Sequence, residues 1–528
     1  MSRLNHPILR SLTGLVLLFG PLMMPHTPGD MPALAVPVLA LVILLPLTLS
    51  SGWLNGGLRL ITTLGVAALG VFKAADLAIA AAYARSFNPV TDLGLAIAAW
   101  HLAAGTFGGL VAGLGMLGLG LALLGLSIAL FWGLGGFTRL SGSARRTIAG
   151  LCGLGLLVFA VGQIGGPAYG VRPIAIDYVT TRVMRVHDTY RQLAAFDRDL
   201  RRDPLLGTDV APTFSALAGR DVVLIFVESY GRSAIEDARY ADRIDPRLAA
   251  IEHQLERAGR HAVSGWLRSP TMGGMSWLAH GTLLSGLWTD NQRRYDTLID
   301  SDRVSLNRLF KHAGWTTIAA MPAITMAWPE AAWFGYDRIY AADELGYAGK
   351  PFNWVTMPDQ FTLAAIHRIV ADLDTPAMVE TALISSHAPW TPIPQRVPWE
   401  TIGDGRIFNA QAEAGATPAE VWADPAQIRT QYEKAIDYSL ATIGDYMARF
   451  GDDTVFIVLG DHQPAPIITG ERASRDVPMH IVADDPAVLE RLDRRYWSPG
   501  MIPAPTLPVR PMSDFRADFS TAMSTPAR

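Results

Sequence analysis

The long apolar runs of this chain nearly all lie before about residue 168 of its 528 residues. A chain of this length is too long for one ordinary domain. Half of its residues are hydrophobic and only 17% are charged, which favours a membrane protein. We therefore predict a membrane domain at 1–168, a juxtamembrane linker helix at 169–219, a catalytic domain at 220–500 and a tail at 501–528.

Five apolar segments have about the 20 residues that a helix needs to cross a bilayer. The candidate spans are 8–24, 32–50, 60–82, one near 106–136, and 147–166. The region 93–137 is long enough for two helices, and we expect an interfacial helix near 93–103 before a single span. No small-residue cleavage site follows the first apolar segment, so we interpret it as an uncleaved span.

Arginines flanking the spans predict their orientation. Arg3 and Arg10 precede the first span, and the loop "TRLSGSARR" follows the fourth. Cytoplasmic loops are rich in Lys and Arg, so both segments are expected inside. Five spans then place everything after residue 168 outside the cytoplasm. A hairpin within 93–137 would instead make the soluble domain cytoplasmic.

Lys73 and Asp76 lie three residues apart within the third span. Such residues can mark an ion path. No other ionisable cluster occurs in the spans, so we favour a neutralised pair that faces other helices.

Composition excludes some classes of partner and site. The net charge of −4 gives no reason to expect nucleic acid. The single cysteine, Cys152, rules out a disulfide within the chain and makes a cysteine-based metal site implausible.

The stretch "IDYVTTRVMRVHDTYRQLAAFDRDLRR" after the last span has apolar residues at helical spacing with arginines between them. This pattern suits a helix at the membrane surface, near anionic head groups. A solvated linker helix packed on the soluble domain fits equally well.

Apolar strand patterns alternate with helical patterns after residue 220. "DVVLIFVES" is a continuous Val- and Ile-rich run, typical of a strand buried on both faces of a parallel sheet. "TTIAAM", "AMVETALISS", "TVFIVLG" and "VPMHIVA" read as further strands, with helical segments between most of them. The alternation predicts an α/β fold with a mostly parallel sheet.

Polar residues follow three of these strands. Glu228 ends the first strand, His387 follows "AMVETALISS", and Asp461 and His462 follow "TVFIVLG". Ligands bind at the carboxyl ends of strands in such sheets. Carboxylate and imidazole groups suit a cation such as manganese, magnesium or zinc, so we predict a metal site there.

The stretch "SPTMGGMSWLAHGTLLSG" (269–286) offers two hydroxyl groups, on Thr271 and Ser276, around a glycine pair. The helix-like run after Ser276 would direct N–H groups and a partial positive charge at a phosphate. The alternative is a small-residue turn packed against a core.

These motifs resemble the alkaline phosphatase superfamily in its sulfatase-like branch, over about residues 220–485. "SWLAHGTLLSG" has the spacing of the sulfatase nucleophile motif, which makes Ser276 the nucleophile and Thr271 the alternative. "VVLIFVESYG" and "TVFIVLGDHQP" resemble the first and last metal-binding strands, and "HAPW" resembles the His-x-Pro segment near the substrate.

The departures from the sulfatase pattern narrow the resemblance. Leu278 and His280 replace the Pro and Arg that formylglycine formation needs, so Ser276 is expected to remain a serine. A single Glu at the first strand and a membrane anchor look instead like lipoteichoic acid synthases and related phosphoglycerol or phosphoethanolamine transferases. The resemblance implies one divalent ion, with manganese favoured over zinc or magnesium. The matching ligand positions are Glu228, Ser276, Asp461 and His462.

Five further residues are candidates for contact with substrate. His280 could bind the phosphate or manage the serine proton, or make a helix-surface hydrogen bond. His387 could protonate the leaving group or bind substrate. Trp328 could contact substrate or pack in the core, and Arg232 could hold an anion or lie free on the surface. His480 could serve substrate or a second metal, although we favour a buried strand histidine.

The resemblance implies a transferase in a bacterial inner membrane, with its catalytic domain facing the periplasm or cell exterior. A phospholipid would donate its head group through a phospho-serine intermediate, and an extracytoplasmic glycan or lipid would accept it. The alternatives are a hydrolase of phosphate or sulfate esters and a non-catalytic membrane-assembly protein. A transporter is disfavoured because the spans carry few charges.

Overall fold

The computed structural model describes residues 6–27, 36–165, 171–205 and 213–524. Parts of two predicted spans and of the predicted linker lie outside the described residues. They are residues 32–35 and 166 of the spans, and 169–170 and 206–212 of the linker. The chain divides into two compact units: 1–81 with 85–192, and 82–84 with 193–528.

The first unit is helical. Its elements are α1 Pro7–Met23, β1 Val36–Pro37, α2 Val38–Leu49, α3 Gly52–Tyr83, α4 Leu95–Phe107, α5 Gly109–Leu134, α6 Gly142–Gly165, β2 Val171–Arg172 and α7 Ile174–Leu200, whose last residues belong to the second unit. The two-residue strands β1 and β2 pair in parallel.

Three segments in the described ranges are long and apolar enough to cross a membrane: Gly52–Tyr83, Gly109–Arg139 and Gly142–Gln163. The other two predicted spans correspond to the shorter apolar helices α1, of 17 residues, and α2, of 12. The predicted helical region is therefore confirmed, and the count of five spans is not. The predicted interfacial helix falls on α4, which has 13 residues.

Glycines bring α1 and α5 into close contact. A Cβ on Gly14 would lie 2.7 Å from the carbonyl carbon of Gly133, so neither position can carry a side chain without a shift. Small residues at such crossings let helix backbones approach closely. The Arg10 guanidinium adds hydrogen bonds of 2.7 and 3.2 Å to the carbonyl of Trp132 on α5.

Lys73 and Asp76 on α3 are both fully buried, and each has its own partners. Lys73 Nζ donates to the carbonyls of Leu22 and Met24, at 3.2 and 2.7 Å, near the end of α1. Asp76 accepts a 2.5 Å hydrogen bond from Tyr178 on α7 and forms an ion pair with Arg182. Both residues face other elements, as predicted, but Lys73 is hydrogen-bonded to neutral carbonyls, and Asp76 forms its ion pair with Arg182.

The second unit contains a nine-stranded sheet. Its strands are β3 Asp221–Val227, β4 His261–Arg268, β5 Thr316–Met321, β6 Arg338–Ala341, β7 Ala377–Leu383, β8 Thr454–Gly460, β9 Asp476–Ala483, β10 Ser498–Pro499 and β11 Arg510–Pro511. The order is β10-β4-β9-β8-β3-β7-β5-β6, with β11 paired to β4. Strands β8, β3, β7, β5 and β6 are parallel, and β9 is antiparallel to both β8 and β4. The predicted α/β fold with a mostly parallel sheet is confirmed.

Helices cover both faces of this sheet. They are α8 Ser233–Glu236, α9 Ala238–Arg257, α10 Ser276–Ser285, α11 Gln292–Ile299, α12 Leu306–His312, α13 Ala331–Phe334, α14 Asp359–Ala371, α15 Asn409–Ala412, α16 Pro418–Trp422, α17 Pro425–Phe450, α18 Pro466–Thr469, α19 Pro486–Leu489 and α20 Phe515–Ser524. Strand β3 alternates between two cores: Val223 and Ile225 face α9, α14 and α17, while Leu224 and Phe226 face α10, α12 and α20. Burial on both faces explains its unbroken apolar sequence.

The register of the central strands brings three polar segments together. Val227, the last residue of β3, pairs with Leu383 at the end of β7 and with Gly460 at the end of β8. The residues that follow these strands therefore emerge side by side at one edge of the sheet, where ligands bind in such folds.

Candidate active site

Ser276 is the first residue of α10, and a tight turn directs it at the strand ends. Gly273, Gly274 and Met275 all have positive φ angles, of 75°, 143° and 63°. Ser276 Oγ donates to Glu228 Oε2 at 3.1 Å and lies 3.2 Å from His462 Nε2. The structure thus brings the hydroxyl to residues that follow β3 and β8.

The ligand-type side chains around Ser276 fit a single cation. Within the described residues, Glu228, Asp461 and His462 form a group whose ligand atoms all lie within 4.8 Å of one another. His462 Nδ1 donates to the Gln463 carbonyl at 2.9 Å, which leaves the lone pair on Nε2 facing the group. Asp461 Oδ1 accepts from the backbone N–H groups of Ser229 and His462, at 2.9 and 2.6 Å, so Oδ2 remains for a ligand.

The charges in this group perturb one another. Burial opposes ionisation of Glu228, but His462 and His387 outweigh it and lower the pKa of Glu228 to about 2. Burial and the neighbouring Glu228 charge raise the pKa of Asp461 to about 6. Burial lowers the pKa of His462, but Asp461 and Glu228 outweigh it and raise that pKa overall. Two carboxylates crowded together in this way are compatible with a bound cation.

Thr271, the alternative nucleophile, stabilises the turn before α10. It is 3% exposed, and its Oγ1 donates to the Gly274 carbonyl at 2.6 Å. This hydroxyl is committed to the loop that positions Ser276.

His280 lies one turn after Ser276 on α10 and makes a buried contact. The alternative interpretation, a hydrogen bond on the helix surface, does not describe it. Its Nδ1 lies 2.7 Å from Glu380 Oε1, and its ring stacks on Phe226 with 3.7 Å between centroids. A carboxylate has only acceptors, so Nδ1 carries the hydrogen.

His387 follows β7 and is exposed. Its Nδ1 lies 2.5 Å from the Ala388 carbonyl. Together with His462, it lowers the pKa of Glu228. Ser386 anchors the segment by donating to the Glu228 carbonyl at 2.6 Å.

Arg232 is not free to hold an anion, contrary to the interpretation of it as a substrate-binding residue. Its guanidinium donates to Glu236 at 2.6 and 2.8 Å and to Asp476 at 3.4 Å, and it stacks on Trp266 at 4.5 Å. Two carboxylates neutralise it, so an anionic group would have to displace them.

His480 does not reach the candidate site, and its prediction as a substrate-binding residue is wrong. It is fully buried in β9, 2.7 Å from Ser264 Oγ and 3.2 Å from the Tyr230 hydroxyl. Burial lowers its pKa to about 3, so it is neutral. The favoured alternative, a buried strand histidine, describes it.

Trp328 packs against aromatic neighbours. Its ring centroid lies 5.6 Å from that of Phe334 and 5.9 Å from that of Tyr336. These contacts fit the core-packing alternative, and the side chain is half-buried.

Sequence reasoning missed Glu380, which binds His280 from the middle of β7. Its signal was present: one carboxylate stands in the otherwise apolar run "AMVETAL". It is fully buried, and a carboxylate in such a position needs several donors.

Residues 220–474 match the family model described as Sulfatase. The predicted membership of the sulfatase-like branch is confirmed for this part of the chain, which is a sulfatase-family domain. A comparison with curated proteins found no match.

Several solved structures are similar to this chain. The lipoteichoic acid synthase LtaP from Listeria monocytogenes is 13% identical, with 62% of this chain and 77% of that chain covered and a TM-score of 0.39. The C-terminal periplasmic domain of EptC from Escherichia coli is 14% identical, with coverages of 58% and 83% and a TM-score of 0.38. The phosphoglycerol transferase GacH of Streptococcus pyogenes is 13% identical, with coverages of 64% and 80% and a TM-score of 0.37.

Proposed function

We propose that this protein transfers a phosphoglycerol or phosphoethanolamine head group from a membrane phospholipid to an extracytoplasmic glycan or lipid. The observation that carries the proposal is the position of Ser276 Oγ, 3.1 Å from Glu228 and 3.2 Å from His462 at the start of a helix. A hydroxyl placed among ligand-type side chains is the arrangement of an activated nucleophile.

Glu228, Ser276, Asp461 and His462 would hold one divalent cation. When bound, it would favour ionisation of the serine and offset the negative charge of the phosphoryl group. Manganese is our first choice, with zinc or magnesium as alternatives, because oxygen ligands dominate the set.

In the first step, Ser276 Oγ attacks phosphorus as the bond from phosphorus to the diacylglycerol oxygen breaks. His280 Nε2 takes the serine proton, and His387 gives a proton to the departing diacylglycerol oxygen. The N–H groups at the start of α10 bind the phosphoryl oxygens. Diacylglycerol leaves, and the head group remains on Ser276.

In the second step, the acceptor hydroxyl attacks phosphorus and the bond to Ser276 Oγ breaks. His387 takes the acceptor proton, and His280 returns its proton to Ser276. Both histidines regain their starting states, as a catalytic cycle requires. Water in place of the acceptor would make the same site a hydrolase.

The test uses the purified full-length protein in detergent with labelled phosphatidylglycerol or phosphatidylethanolamine, with and without manganese. We expect metal-dependent release of diacylglycerol and a phosphorus-containing adduct on the peptide that carries Ser276. Ser276→Ala should lower release at least ~1,000-fold, because the covalent route is lost. Thr271→Val, the matched control, should retain the adduct.

Diacylglycerol release that survives Ser276→Ala would refute the nucleophile. Release of free head group alone, whatever glycan or lipid acceptor is added, would favour the hydrolase. If neither phospholipid releases diacylglycerol, the proposed lipid donor would be refuted.

A further inference from the structure

Glu380 is a carboxylate buried at the centre of the sheet. It lies in β7, in register with Leu224 of β3 and Ala319 of β5, and it is fully buried. Burying a charge there is costly unless it is paired and hydrogen-bonded, and an apolar residue would serve the fold better. The burial of Glu380 at this position therefore indicates a role other than stabilising the fold.

Three side chains from separate segments converge on this carboxylate. His280 Nδ1 lies 2.7 Å from Oε1, while Asn307 Nδ2 and the Tyr336 hydroxyl donate to Oε2 at 2.9 and 2.6 Å. We call these four residues the Glu380 cluster. Its donors come from α10, α12 and the segment before β6, so the cluster fixes Glu380 from several directions.

The contacts of the Glu380 cluster fix the orientation of the His280 ring. Nδ1 is bound to Glu380, one ring face lies on Phe226, and the side chain is 10% exposed. Among the described residues, Nε2 has no hydrogen-bond partner. Ser276 precedes His280 by one turn, so the two side chains leave α10 on the same face.

We propose that Glu380 is a positioning residue for the reaction at Ser276. It fixes the His280 tautomer with the hydrogen on Nδ1, so that Nε2 faces the serine and the phosphoryl group. Asn307 and Tyr336 hold Glu380 in turn. This inference rests on the proposed function, because it concerns the same transfer. Outer carboxylates that orient a histidine have this role at other sites.

Glu380→Gln tests the role of the charge without removing the side chain. A glutamine oxygen can still accept from His280 Nδ1. Its amide can donate to Asn307 Oδ1, which is buried without a hydrogen-bond partner in the described structure. The variant should therefore fold, and thermal unfolding checks that it does. Thr381→Val is the matched control, since Thr381 is the next residue of β7, fully buried, and bonded to the Ala320 carbonyl at 2.7 Å.

The measurement is kcat and KM for phospholipid cleavage and for cleavage of bis(p-nitrophenyl) phosphate. We expect Glu380→Gln to lower kcat by ~10- to 100-fold with little change in KM. Thr381→Val should leave kcat unchanged. In a double-mutant cycle, His280→Gln with Glu380→Gln should be no slower than His280→Gln alone, because Glu380 acts through His280.

A kcat for Glu380→Gln within about twofold of the wild type would overturn the inference, given that second-sphere effects are larger. The inference would also be overturned if Glu380→Gln lowered kcat as much in the His280→Gln background as in the wild type. If Glu380→Gln does not fold, Tyr336→Phe replaces it. That variant should lower kcat in the wild-type background but not in His280→Gln, and equal losses in both would overturn the inference.

The two substrates separate failure of this inference from failure of the proposed function. Cleavage of the chromogenic diester without cleavage of any phospholipid would refute the lipid donor, while the Glu380 comparison is made on the diester. A wild-type protein that cleaves neither would overturn both.

Discussion

Each ligand-type side chain at the candidate site has one atom held by the protein and one that faces the centre. The Asp461 carboxylate uses Oδ1 for two backbone N–H groups, and His462 uses Nδ1 for the Gln463 carbonyl. Glu228 accepts from Ser229 through Oε1 at 2.8 Å and from Ser276 through Oε2. Preorganisation of this kind costs stability when the site holds no cation, because like charges then face each other.

Asp461→Asn should stabilise the metal-free protein. Burial and Glu228 raise the pKa of Asp461 from 3.8 to about 6, so the folded state binds this proton more tightly than the unfolded state. The carboxyl group therefore lowers folding stability as pH rises from about 4 to about 6. Asparagine keeps the acceptor for Ser229 and removes the charge. We expect a gain of about 1–3 kcal/mol at pH 8, measured by unfolding in a chelator.

The matched control is Asp372→Asn, at an exposed position after α14, which should have no effect. At pH 4 the gain from Asp461→Asn should disappear, because the wild-type carboxyl is then protonated. An Asp461→Asn protein less stable than the wild type at pH 8 would contradict this account.

At the level of single residues, the sequence predicted the side chains that follow strands better than the partners of side chains inside them. Glu228 and Asp461 were predictable because polar residues end continuous apolar runs. Glu380 stands out in its strand, but its partners were not predictable, since they lie 100, 73 and 44 residues away and converge only in the fold. The Asp476 carboxylate beside Arg232 was equally hidden, because it lies 244 residues away.

At the scale of elements, the site depends on how strands end and how α10 begins. Ser229 and Met275 both adopt left-handed backbone, with φ angles of 59° and 63°, directly after Glu228 and before Ser276. Non-glycine residues in this region cost roughly 1–2 kcal/mol each. Packing of the sheet and of α10 must compensate for that strain. The strained backbone conformation directs the Glu228 and Ser276 side chains at one point.

Gly460→Ala should disrupt this arrangement. Gly460 ends β8, and a Cβ there would lie 1.7 Å from the Tyr230 carbonyl oxygen, a backbone atom that cannot move freely. We expect a loss of about 3 kcal/mol or more, since overpacking against backbone is poorly relieved. Activity should fall with it, because Asp461 and His462 would move away from Glu228. Thermal unfolding and diester cleavage measure the two effects.

Gly314→Ala provides the comparison. It has a φ of 102° with no atom within 4 Å of the added Cβ, so it should cost only about 1 kcal/mol and leave activity intact. Equal losses from the two variants would contradict the clash account, because Gly460, unlike Gly314, is not among the glycines with a positive φ angle.

At the scale of the whole molecule, the order of elements was easier to predict than the number of spans. The alternation of strand and helix patterns predicted a mostly parallel sheet, because parallel strands are joined by crossover connections, which are usually helices. Apolar composition predicted the end of the second segment at residue 50, close to Leu49, but not that α2 would begin at Val38 and have 12 residues. Helix ends depend on local capping and packing, which a count of apolar residues does not include.

Cysteine labelling should determine the topology. Cys152 is the only cysteine, so Cys152→Ala provides a background without thiols. We expect Ser143→Cys, exposed in the first turn of α6, to react with an impermeant maleimide only after cell lysis. His253→Cys, whose side chain is 74% exposed on α9, should react in intact spheroplasts. The physical reason is the arginine-rich segment at the start of α6, which the positive-inside rule assigns to the cytoplasm.

The background variant without added cysteine controls for non-specific reaction. Labelling of His253→Cys only after lysis would place the second unit in the cytoplasm and refute an odd number of spans. Labelling of Ser143→Cys in intact spheroplasts would contradict the assignment of that segment.

The separation of the site residues along the chain has a consequence for biogenesis. Ser229 and Asp461, joined by a hydrogen bond in the folded protein, are 232 residues apart in sequence. A ribosome adding about 5–20 residues per second needs about 10–50 seconds to make that interval. During this time β3 is present without its neighbour β8, and Ser276 without His462. The nascent protein therefore has no complete candidate site until synthesis is almost finished, and a chain truncated before residue 461 would never assemble one.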